Sequence, residues 1–103
     1  MDYTDAIAAL ADPSRRAIVD KLREGPLPVG AIASDLPISR PAVSQHLRVL
    51  SDAGLLHVQA AGNRRIYGLS PEGVAAIRAY FDTLWDDALA AFGRAATDYS
   101  RKG

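Results

Sequence analysis

The chain has 103 residues, 49% of them hydrophobic and 23% charged, and it contains no cysteine. Such a composition fits one ordinary globular domain and excludes an intrinsically disordered chain, while the absent cysteine excludes disulfides, thiolate metal sites and a cysteine nucleophile. Formal net charge is zero, which at first argues against a nucleic-acid partner. The first element is a short helix over 4–11, "TDAIAALA", with Ile7 and Leu10 on one side. Asp12 can cap the next helix, and Pro13 suits its first turn because the N–H that proline lacks has no partner there. Ile18, Val19 and Leu22 carry the helical period, and Gly25 with Pro26 stops it.

A third helix is expected over about 29–36, with Val29, Ile32 and Leu36 inward and Pro37 barring its continuation. Ser39 then offers an N-cap for a fourth helix, about 40–53, which turns Val43, Leu47 and Leu50 inward and stops at Gly54. Only three or four residues link these two helices, the spacing of a helix-turn-helix. Leu56, Val58, Ile66 and Tyr67 have strand character around a turn at Gly62 and Asn63, and Arg64 and Arg65 sit near its tip. Ser70, Pro71 and Glu72 start a long final helix, although Gly73 occupies the place where a capping box would need Glu or Gln. Its apolar positions, Val74, Ile77, Phe81, Leu84, Ala88, Ala91 or Phe92, Ala95 and Tyr99, step by three and four residues, a coiled-coil-like seam that Trp85 and Leu89 widen. The expected fold is therefore mainly α with a two-stranded β-wing, in the order α-α-α-α-β-β-α: a winged helix-turn-helix spanning 1–103 as a single domain.

Charge is segregated along this order. Residues 1–13 carry Asp2, Asp5 and Asp12; residues 14–65 carry eight Arg or Lys against four acids; residues 66–100 return to an acidic balance. A basic middle between acidic ends is what a phosphate partner for the middle alone would require. The non-core face of the fourth helix presents Arg40, Ser44, Gln45 and Arg48, donor-rich groups suited to base edges and phosphates. A solvated polar face is the plainer reading of that helix taken alone. His46 lies beside the inward face and is read first as a half-buried histidine bonded to backbone, and second as a phosphate or base contact. Asn63, Arg64 and Arg65 fit a phosphate or minor-groove contact, which gives affinity and register rather than sequence choice. Arg15 and Arg16 are candidate backbone clamps or surface ion pairs with Asp12 or Asp20.

Catalytic chemistry finds no constellation. The glycines are scattered, so no phosphate-cradling loop exists, and Asp82, Asp86 and Asp87 lack a nearby histidine and read as a solvated face rather than a metal site. No apolar run approaches the roughly 18 residues that span a bilayer. The N-terminus lacks a basic stretch followed by an apolar one, so the expected compartment is the cytoplasm, with no membrane insertion.

Three stretches, "LADPSRRAIVDKL", "SRPAVSQHLRVLSDAGLL" and "GNRRIYGL", together resemble the ArsR/SmtB-type bacterial transcriptional repressors, over residues 5 to about 90. The resemblance implies a homodimeric winged helix that binds operator DNA, expected to be an inverted repeat, with no enzymatic activity. It puts Ser39, Arg40, Ser44, Gln45, His46 and Arg48 on the recognition helix and Arg64 and Arg65 on the wing. It also puts the terminal helices, about 3–11 and 71–99, at the dimer interface, with Ile7, Leu10, Ile77, Phe81, Leu84, Trp85, Ala88 and Phe92 in it. Metal-sensing members carry cysteines near the third helix or His/Asp sets on the last one. This sequence has neither, so no metal and no cofactor are expected, and it is most similar to the metal-free, SdpR-type autorepressors. Two alternatives stand beside this reading. One is a winged-helix protein-interaction module without DNA binding. The other is a small-molecule-responsive repressor with a pocket at the dimer helices around Tyr80, Phe81, Trp85 and Tyr99.

Overall fold

Three side-chain oxygens start the main helices. Asp12 accepts from the backbone N–H of Arg15 at 3.0 Å, Ser39 Oγ from that of Ala42 at 3.2 Å, and Ser70 Oγ from that of Gly73 at 3.3 Å. Each satisfies a first-turn donor that the helix itself cannot pair. In the computed structural model, which describes residues 3–102, the helices are α1 (Tyr3–Leu10), α2 (Pro13–Lys21), α3 (Val29–Ser34), α4 (Arg40–Asp52) and α5 (Pro71–Lys102). A single 3-10 turn, Leu22–Glu24, finishes α2 before Gly25 reverses the chain at φ +145°.

The core is assembled from one face of each short helix: Ala6 and Ala9 of α1, Ile18 of α2, Ile32 of α3, and Val43, Leu47 and Leu50 of α4, closed by Leu22, Leu55 and Leu56. Each fully buried leucine or isoleucine contributes about 1.5–3 kcal/mol. On α1 the alanines take the inner positions, while Ile7 and Leu10 are only half-buried, Leu10 at the edge of the core.

The hairpin is as expected, β2 (Leu56–Ala61) against β3 (Arg64–Leu69), in register Leu56 to Leu69 through Ala61 to Arg64. Gly62 has φ +65° and Asn63 does not go positive, the requirement of a two-residue II′ turn rather than I′. A third strand, β1 (Leu27–Pro28), adds to β3 and gives the order β1-β3-β2. The sequence reading has two strands because β1 is two residues long, shows no alternation, and ends on a proline that cannot donate to a ladder. Val58 shares the face of Leu56, as period two demands, but the hairpin runs on beyond the core there and Val58 is 44% exposed. His57 is exposed on the opposite face, with its imidazole lying across the backbone of Gly68.

The 32 residues of α5 make a rod of about 48 Å at 1.5 Å per residue, which dominates the 68 Å long axis of the molecule. Its first turns pack on α1, where the rings of Tyr3 and Tyr80 stack at 4.4 Å. From Phe81 to Arg101 every residue of α5 is exposed, including Trp85 at 64%, Phe92 at 74% and Tyr99 at 82%.

Candidate nucleic-acid interface

The short link after α3 and the Ser39 cap aim the polar face of α4 away from the core. Val43, Leu47 and Leu50 are fully buried, whereas Arg40, Ser44, Gln45 and Arg48, offset around the same helix, are exposed. The hairpin leaves the core at a place that sets its inner face opposite this polar face. Between them lies an open groove of about 1080 Å³.

One wall of the groove is Arg40, Ser44, Gln45 and Arg48; the other is Asn63, Arg64 and Arg65 at the hairpin tip. Residues that are fifteen or more positions apart in the sequence thus share one concavity. Four guanidinium groups line it against the single carboxylate of Asp52. A concave surface of one dominant sign concentrates field and attracts a polyanion. The floor is apolar, formed by Val58 with its cross-strand partner Tyr67 and by Pro28 and Val29. These floor residues were missing from the sequence-based set. Strand alternation from Leu56 puts Val58 and Tyr67 on one face, but only the third dimension reveals that this face runs past the core and turns toward α4.

Four residues of the sequence-based set lie elsewhere. Ser39 uses its hydroxyl as the α4 cap. Arg15 donates from Nε to the carbonyl of Ala9 at 2.7 Å, tying α2 to the end of α1, and borders a separate small pocket with Asp5, Val49 and Asp52. Arg16 is exposed on α2 and does not line the groove. His46 is half-buried, as expected, but its Nδ1 is buried with no hydrogen-bond partner among the described residues rather than bonded to backbone. Backbone carbonyls in mid-helix are already engaged in the helix ladder, and the imidazole lies close enough to Asp12 for its charge to be felt. The backbone N–H of Arg15 holds the Asp12 carboxyl below the usual carboxylate range, against the opposing effect of burial, and the charges of Arg15 and His46 add to it.

Among the described residues, no group of three or more His, Cys, Asp or Glu side chains is placed to hold a metal ion. No described helix is long and apolar enough to cross a membrane.

The comparisons with known proteins agree with this geometry. A family model described as a helix-turn-helix domain matches residues 10–59, from the last residue of α1 through most of β2. The HTH-type transcriptional regulator Rv2034 of Mycobacterium tuberculosis is 55% identical over 86 residues, covering 84% of this chain and 80% of that protein. The transcriptional repressor SdpR of Bacillus subtilis is 37% identical over 62 residues, 60% of this chain and 69% of that one. Among solved structures, the homodimeric winged helix-turn-helix DNA-binding domain of Mb0332 from Mycobacterium bovis, described as a possible ArsR-family regulator, aligns with TM-score 0.65 and 30% identity. The alignment covers 81% of this chain and 77% of that one.

Proposed function

The chain belongs to the ArsR/SmtB family of winged helix-turn-helix transcriptional regulators, which are not enzymes, and on that premise we propose that it is a homodimeric, sequence-specific repressor of the cytoplasm. The observation that carries the proposal is the convergence of Arg40, Ser44, Gln45 and Arg48 with Asn63, Arg64 and Arg65 on one groove. The α4 helix fits a major groove about 12 Å wide, where Gln45 pairs with adenine and an arginine with guanine. The wing tip follows the neighbouring phosphates or enters the minor groove, supplying affinity that is blind to sequence. A protein-interaction module gives no reason for four arginines to gather in one concavity with an amide and a hydroxyl between them.

Dimerisation is part of the proposal. Residues 1–103 act as a single domain whose terminal helices meet those of a second copy. The apolar stripe of α5 supports this, because a soluble monomer rarely leaves so much contiguous apolar surface in water. Ile7, Leu10, Ile77, Phe81, Leu84, Trp85, Ala88 and Phe92 form the contact, and aromatics at this spacing pack as an interface more readily than they line a ligand pocket. Two-fold symmetry then makes the operator an inverted repeat.

Titrating purified protein against duplex DNA at increasing salt tests the reading. Affinity is expected to fall linearly in log–log form, with a slope of about −0.9 per phosphate neutralised. Binding that ignores salt, or no binding at all, would overturn it.

A further inference from the structure

A glycine three residues into a helix is a poor choice by local rules, since it adds backbone entropy and forgoes the Glu or Gln that would complete a capping box. The reason that Gly73 stands there lies across the fold. It is buried, and a Cβ built on it would lie 2.0 Å from the carbonyl oxygen of Gly54, 2.9 Å from that residue's carbonyl carbon and 3.2 Å from Leu55 Cα. All three are backbone atoms that cannot swing aside. Gly54 is the positive-φ residue, at +83°, that ends α4. Its N–H donates to Ser51 O, and Leu55 N–H donates to Leu50 O, so this turn is a direct extension of α4. The N–H of Ser70 donates to Leu55 O at 2.8 Å, clamping the start of α5 to the same turn.

We infer that Gly73 is a positioning residue for DNA binding: its backbone contact with Gly54 joins α4 and α5 into one rigid unit, and so fixes the separation of the two recognition helices in the dimer. The inference rests on the proposed dimeric repressor. If α5 is the dimer helix and α4 the reading helix, this glycine-on-glycine contact and the hydrogen bond from Ser70 N–H to Leu55 O join them directly. Beyond Ile77, which packs on the core, the ring of Tyr80 stacks on Tyr3, about 10 Å from Gly73 at 1.5 Å per residue. An added methyl that pushes α5 back by about 1 Å therefore tilts it by about 6° over that span. In a two-fold dimer the tilt acts twice, and both reading helices leave register with half-sites of fixed spacing.

The test compares Gly73→Ala with wild type on two duplexes: an inverted repeat obtained by selection with the wild-type protein, and the same duplex with one half-site scrambled. For the wild type, the full site gains about 10²–10⁴-fold from joining two half-sites. Gly73→Ala is expected to keep half-site affinity within about twofold and to remain dimeric by sedimentation, while losing at least about tenfold of the full-site advantage. Equal losses on both duplexes would mean only a lower folded fraction, and no loss would mean no strain; either result overturns the inference. Should the variant not fold, wild-type protein on full sites carrying one or two inserted base pairs decides the matter. A rigid unit loses the full-site advantage sharply, and a flexible joint retains it, which also overturns the inference. Wild-type protein that binds no duplex would instead sink the repressor reading itself.

Discussion

Phe92→Ala is expected to separate the dimer without harming the protomer. Phe92 is 74% exposed and touches nothing of its own core. An aromatic side chain offers roughly 150–250 Å² for burial, so about 130 Å² of this ring is still in contact with water. At about 25 cal/mol per Å², covering that area fully is worth about 3 kcal/mol. If the partner covers half of it, each protomer loses about 1.5 kcal/mol on truncation, and the dimer about 3 kcal/mol because the ring occurs twice. The dimer dissociation constant should then rise by about two orders of magnitude. Sedimentation equilibrium over a nanomolar-to-micromolar series reads this directly, and circular dichroism checks that helix content is unchanged. An unchanged dissociation constant would refute the assignment of this stripe to the interface, as would a wild type that is monomeric throughout the series.

Other substitutions separate the roles within the groove. Arg65→Ala should weaken binding to all sequences alike and reduce the salt slope by about one, measured by anisotropy titrations at several salt concentrations. Gln45→Ala should instead cost about 1–3 kcal/mol of discrimination between the preferred site and a single-base variant, read by competition between the two duplexes. Ser39→Ala removes the α4 cap and should lower stability by about 1 kcal/mol, seen as a lower melting temperature. Stability should also decline in acid. Asp12, through the N–H of Arg15, and Asp35, through the ammonium of Lys21, titrate below the usual carboxylate range when folded. Their contribution is thus complete above the unfolded carboxylate value and is lost as pH falls through the folded one. A urea-midpoint series from neutral pH to about pH 3 should show this decline, and the double variant Asp12→Asn, Asp35→Asn should flatten it.

Local chemistry made much of this molecule readable in advance. Asp12, Ser39 and Ser70 announce helix starts, and each does cap. Gly54 and Gly62 announce turns, and both have positive φ. The Val43, Leu47, Leu50 spacing separated the buried face of α4 from its polar one, and with it half of the groove. What stayed hidden depends on contacts between distant segments. Arg15, read as a phosphate clamp or a surface ion-pair partner, spends its Nε on the Ala9 carbonyl, a contact with no periodic signature. Strand β1 is too short to have one. Gly73 looked like a flaw in a capping box because the reason for it, the carbonyl of Gly54, is nearly twenty residues away. Val58 was absent from the candidate set because alternation gives the face of a strand but not the point at which the core beneath it ends.

The most direct test of the central claim is selection of bound sequences from a pool of random duplex DNA by the purified wild-type protein. The account predicts enrichment of an inverted repeat whose half-sites lie about one helical turn, 10–10.5 base pairs, or a multiple of it apart, with enrichment that weakens as salt rises. A pool that stays random after repeated rounds, or an enriched site without two-fold symmetry, would contradict it.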